Sequence, residues 1–95
     1  MASRRRLKKD INFLTYEVIS NCYAYVYVSQ DAKMDEVENI IKDIVKLRNN
    51  LVARTNHPDG KDNPKMVKAY YKKIFKELLD GADDCFAKLS ELIKK

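Results

Sequence analysis

Tryptophan is absent from this 95-residue chain, glycine, proline and cysteine occur twice each, and there is one histidine. Each scarcity excludes something. With so few residues that interrupt regular structure, the turns needed for many short strands are missing, and a few long elements remain, which at this length means helices. The two cysteines, Cys22 and Cys85, lie far apart and lack the spacing of a zinc site or a redox motif. Such cysteine usage points by default to a reduced, cytoplasmic protein. No run of about 18 uncharged apolar residues exists, so no transmembrane helix is expected. The stretch after Arg4, Arg5 and Arg6 is broken by Asp10, Asn12 and Glu17, and it has neither the apolar core nor the cleavage site of a secretion signal.

An excess of one charge is missing from most of the chain as well. There are 19 Lys and Arg against 14 Asp and Glu, a net +5, and Arg4, Arg5, Arg6, Lys8 and Lys9 account for the whole excess. From Asp10 onward the charges balance. The high isoelectric point therefore describes a short basic segment, and residues 1–6 are expected to form a flexible arm ahead of a single domain over 7–95. A concentrated cationic segment suits a device that holds something anionic.

What is present is helical periodicity. With 45% hydrophobic and 35% charged residues the chain can fold around one core, and its composition is neither that of a disordered segment nor that of a membrane protein. At about 100° per residue, Leu7, Ile11, Leu14, Val18, Cys22 and Tyr25 share one face of a helix predicted over 7–28. Asp35 and Glu38 have the spacing of a capping box for a second helix, over 36–55. Its apolar face is Val37, Ile40, Ile41, Ile44, Leu47, Leu51 and Val52. Asn56 to Asn63 reads as a loop turned by Pro58 and Gly60. Asn63 as N-cap and Pro64 at the first helical position open a third helix, over 64–93. Val67, Tyr71, Ile74, Phe75, Leu78, Ala82, Cys85, Phe86, Leu89, Leu92 and Ile93 form its apolar stripe, and Gly81 lies beside that stripe without requiring a break. Three helices with two short links predict an all-α, up-down-up three-helix bundle.

That topology gathers the cations. The start of the first helix, the loop after the second and the start of the third share one end, placing Arg4, Arg5, Arg6, Lys8 and Lys9 near Arg54, Lys61, Lys65, Lys68 and Lys72. Lys73 and Lys76 have acidic residues four positions on, Glu77 and Asp80, whereas Lys65, Lys68 and Lys72 have none. Asp10, Asp59 and Asp62 dilute this pole, and Asp31, Asp35, Glu36 and Glu38 crowd the other end, so a bipolar molecule is expected. The basic pole with Tyr70 beside it suits an acidic protein partner or nucleic acid, although no nucleic-acid-binding motif is present; a solvated charged face is the plain alternative.

A second feature lies on the back of the first helix. Phe13, Tyr16, Tyr23 and Tyr27 fall within a sector of about 80° opposite the core stripe. Each helix of a three-helix bundle has one buried side, so this stripe needs a partner, which a second copy could supply, or wider coverage by the bundle itself. Arg48, set between Ile44 and Leu51, is expected either to snorkel outward or to pair internally with a carboxylate such as Glu17, with a ligand-anion site as the lesser alternative.

Catalytic and metal chemistry find little support. Placing Gly60 at the glycine position of an EF-hand leaves Thr55, His57 and Met66 where carboxylates belong. His57 has no paired metal ligands, and both cysteines lie on core faces. No catalytic residue, metal or cofactor is expected.

The run Arg54, Thr55, Asn56, His57, Pro58, Asp59, Gly60, Lys61, Asp62, Asn63, Pro64, Lys65, together with KKDINFLTYEVISNCYAYVY, resembles a family of short uncharacterised all-helical proteins of Bacteroidetes bacteria. The resemblance spans nearly the whole chain. It implies a bacterial, cytosolic, all-helical protein and brings with it no activity and no site residues. The expectation is therefore a small non-enzymatic interaction or adaptor module, self-associating through the aromatic stripe, with nucleic-acid binding through the basic pole as the alternative.

Overall fold

The structure, a computed structural model, describes residues 4–29, 31–57 and 63–94. Its elements are α1 (Arg4–Val28), α2 (Met34–Asn56) and α3 (Pro64–Lys94), with no strand among the described residues. All three helices pack on one another in a rod of 53 × 19 × 17 Å.

Two groups of buried side chains fix the direction of each helix. Leu7 and Ile11 from the start of α1 meet Leu51 from the end of α2 and Tyr71 and Ile74 from the start of α3. Toward the other end, Cys22 and Tyr25 meet Val37, Leu89 and Leu92. Leu14 and Leu47 pack against both groups and make the core continuous. This is the up-down-up bundle that the periodicity predicts.

The helix boundaries differ from expectation in instructive ways. Helix α1 begins three residues early, so Arg4, Arg5 and Arg6 of the expected arm form its first turn, while residues 1–3 lie outside the described part. Arginine is a good helix former, and apolar periodicity gives no signal in a run that has no apolar residue. The Asp35 and Glu38 capping box does not form. Helix α2 starts at Met34 with Lys33 as its N-cap and no side-chain cap, and Asp35 and Glu36 instead occupy the first turn, where their charges suit the positive end of the helix. The Lys33 backbone N–H donates to the Tyr25 hydroxyl at 3.4 Å. Asn63 caps α3 as predicted, its Oδ1 accepting from the backbone N–H groups of Lys65 (3.1 Å) and Met66 (3.3 Å). The turn residues Pro58 and Gly60 lie outside the described residues.

The core is narrower than the apolar stripes. Phe75 and Ile93, expected inside, are 37% and 62% exposed. The apolar stripe of α3 is wider than the face that two neighbouring helices cover, so its edge stays in solvent. Two polar residues go the other way. Thr15 and Thr55 are buried because each hydroxyl donates to a carbonyl of its own helix, that of Ile11 and of Leu51, both at 2.7 Å. The Tyr71 hydroxyl donates in turn to the Thr55 carbonyl at 3.3 Å.

Candidate interaction surface

Helix α1 positions the aromatic stripe by burying its opposite side. With Leu7, Ile11, Val18 and Cys22 held in the core, helical geometry turns Phe13, Tyr16, Tyr23 and Tyr27 outward, and they are 62%, 74%, 63% and 91% exposed. Neither α2 nor α3 covers them. Of the two expectations for this stripe, coverage by the bundle itself is thereby removed. Beside it, Tyr23 shares a groove with Val26, Met34, Val37, Glu38, Ile41 and Lys42, so the stripe continues at one edge into the seam between α1 and α2. Met34 and Val28 add exposed apolar surface at the same end. Their signal in the sequence is slight, since each stands at the edge of the link between helices.

The predicted basic pole is assembled by the same packing. Leu7 against the start of α3 brings the first two turns of α1 and the first turns of α3 to one end. Arg4, Arg5, Arg6, Lys9, Lys65, Lys68 and Lys72 are exposed there, whereas Lys8 is half-buried. Lys61 lies outside the described residues. No acidic residue occupies the first turn of α1 or of α3, so two positive helix ends reinforce the cationic side chains. At the far end the termini of α1 and α3 are negative helix ends beside Asp31, Asp35, Glu36 and Glu38. The dipoles and the side chains therefore polarise the rod in one direction.

Two members of the pole are engaged otherwise than expected. Arg54 is neutralised across the bundle by Glu77, with Nη1 to Oε1 at 2.9 Å and Nη2 to Oε2 at 2.7 Å. Its guanidinium carbon sits 5.7 Å from the centre of the Tyr70 ring, so that ring is already occupied by a cation. The Glu77 hydrogen bonds hold Arg54 protonated well above the usual arginine range, with Tyr70 second. The helical spacing of Lys73 and Glu77 gave no hint of this partner from another helix.

Arg48 also corrects an expectation. Its Nε donates to Asn12 Oδ1 at 3.0 Å and its Nη1 to Asn49 Oδ1 at 3.0 Å, and it forms no ion pair with Glu17. Asn12 precedes Glu17 by five residues, more than one turn of α1, and a neutral amide as the partner spares the cost of burying a second charge. Toward the acidic pole, Lys88 is held by Asp43 (3.3 Å) and Asp84 (3.4 Å).

No family model, no curated protein and no solved structure matches this chain.

His57 is exposed at the C-terminal cap of α2, its backbone N–H bonded to the Ala53 carbonyl at 3.2 Å. Among the described residues no group of three or more His, Cys, Asp or Glu side chains is arranged to hold a metal. Among the described residues no helix is long and apolar enough to cross a membrane. What the described surface offers is contact: an aromatic stripe along one helix and a cationic end.

Proposed function

We propose that this protein is a small non-enzymatic interaction module of the cytoplasm that self-associates through the outer face of α1 and presents its basic pole to an acidic partner. One observation carries the reading: four aromatic side chains, all more than 60% exposed, line a single side of α1. Scattered exposed apolar residues are ordinary on a monomer, but an aromatic row aligned with a helix is the pattern of an interface. The α3 edge formed by Phe75 and Leu79 is less exposed and lacks hydroxyls, so it is the weaker candidate. Both cysteines are free thiols, which fits a reducing compartment.

The direct test is molar mass by light scattering across a concentration series. A mass approaching twice the 11.1 kDa of one chain is expected at high concentration, with dissociation on Tyr23→Ala. A monomer at every concentration rejects self-association.

Nucleic-acid binding is the second reading, favoured by the absence of acidic residues from the first turns of α1 and α3 at the basic pole. Its affinity would fall steeply with salt. Deleting the chain up to Asp10 is a poor test, because it removes Leu7, which is fully buried. The better variant replaces Arg4, Arg5 and Lys9 by Gln. Nucleic-acid binding that survives these changes undiminished would count against a role for the pole.

A further inference from the structure

Lys9, Phe13, Tyr16, Ser20, Tyr23 and Tyr27 succeed one another at intervals of four, three, four, three and four residues, and every one of them is exposed. That alternation has the four-three spacing of a seam between two helices, aromatic at four of its six positions, and it runs along the side of α1 opposite the core. Helix α1 thus carries two packing faces. One is filled by α2 and α3; the other has the spacing that fits one more helix.

We infer that the helix it takes is α1 of a second copy, running antiparallel. This rests on the self-association proposed above and adds its geometry. Charge decides the direction. In a parallel pair Lys9 and Arg5 would face their own counterparts, and the acidic ends would also meet like with like. In an antiparallel pair the basic end of each copy lies along the acidic end of the other, where Asp31 and the first turns of α2 are exposed and where Glu38 shares the groove with Tyr23.

The register follows from matching the two kinds of seam position, one from each chain, as antiparallel helices do. Phe13 then stands at the level of Tyr23 of the second copy, Tyr16 at the level of Ser20, and Lys9 at the level of Tyr27. Each large ring next to the twofold axis meets the small Ser20, the ammonium meets an aromatic face, and Arg5 lies past the C-terminal end of the second copy's α1, toward its acidic end. Of the two matchings one heptad away, one brings Tyr16 to Tyr27 and Tyr23 to Ser20 and leaves Phe13 and Lys9 without a seam partner, and the other brings Phe13 to Tyr16 and Lys9 to Ser20 and leaves Tyr23 and Tyr27 without one. An isologous contact of this kind closes on itself as a dimer and leaves Lys65, Lys68 and Lys72 of both copies free for an acidic partner. The seam from Lys9 to Tyr27 is about 27 Å long. That is short for a stable interface, so association at high protein concentration and sensitivity to salt are expected.

The test is a distance measurement between nitroxides attached at Arg4→Cys, a position outside the seam, in the full chain at a concentration where light scattering shows the dimer. Cys22 and Cys85 are buried and take no label. The antiparallel register sets the two Arg4 positions about 42 Å apart along the axis, whereas a parallel pair sets them within roughly 20 Å. A separation near the longer value supports the inference, and Lys9→Glu should then weaken the dimer at least several-fold. The shorter value overturns the antiparallel arrangement while leaving self-association standing. A monomer by light scattering, with no intermolecular distance, overturns both.

Discussion

Arg54 and Glu77 join α2 to α3 through two parallel N–H to oxygen bonds, of 2.9 and 2.7 Å, with the Tyr70 ring against the guanidinium. A planar fork meeting a carboxylate edge-on is the strongest geometry open to an ion pair, and lysine cannot reproduce it. The side chains are 26% and 38% exposed, so solvent screens part of the attraction and the pair contributes about 0.5–1 kcal/mol.

The acid dependence of that pair has a definite sign. Arg54 holds the Glu77 carboxyl below its ordinary range, chiefly through the hydrogen bonds, with Lys73 adding and burial opposing. A folded-state value below the unfolded one means that the stabilisation is fully present above the ordinary carboxylate value of about 4.3 and is lost as pH falls through the lower folded value. Thermal unfolding followed by circular dichroism should show Glu77→Gln and Arg54→Lys melting a few degrees lower at neutral pH. The gap from the native chain should close in acid. A Glu77→Gln variant that keeps the same deficit below the folded value would show that the pair is not the source.

Gly81 and Leu47 form a second relationship between α2 and α3, one of space. A Cβ added at Gly81 would collide with Leu47 Cδ2, and Leu47 packs against both halves of the core. Alanine is favoured over glycine inside a helix by roughly 0.5–1 kcal/mol. In the native chain Gly81→Ala should therefore gain less than that preference, because Leu47 Cδ2, the end of a flexible side chain, must turn aside to make room. In a Leu47→Ala background the same change should stabilise by about 1 kcal/mol, a coupling that a double-mutant cycle by denaturant unfolding measures directly. Equal effects in the two backgrounds would mean that Leu47 is not the obstacle.

Cys22 and Cys85 should be silent toward thiol reagents until the bundle opens. Burial pushes the Cys22 thiol up. Burial does the same at Cys85, with Asp43 and Asp84 adding and Lys88 opposing. Reaction with a disulfide reagent at neutral pH should be roughly 100-fold or more slower in the folded protein than in denaturant, and its rate should follow the unfolding curve. Rapid labelling of either thiol without denaturant would indicate local opening of the α1 and α3 contact.

Much of the architecture was legible because it depends on period alone. The stripe from Leu7 to Tyr25, the cap at Asn63 and Pro64, and the outward row of Phe13, Tyr16, Tyr23 and Tyr27 are properties of single helices. They follow wherever a helix forms and one side of it is buried. The expectations that failed concern edges and partners. The start of α2 moved because a loop of a few residues joined to Tyr25 decides where the helix enters, and the spacing of Asp35 and Glu38 does not. Phe75 and Ile93 were misplaced because a helical wheel shows which residues are apolar but not how wide a face its neighbours cover.

Sequence alone therefore determined the three helices, the side of each that is buried and the concentration of charge at the start of the chain, all of which are local and periodic. Tertiary structure decided which groups meet across helices. Arg54 took Glu77 in place of standing among the exposed lysines of the pole, Arg48 took Asn12 in place of Glu17, and Leu47 fills the space beside Gly81. Those choices depend on the axial offset and rotation of whole helices, which the packing of the core sets and which no spacing within one helix encodes.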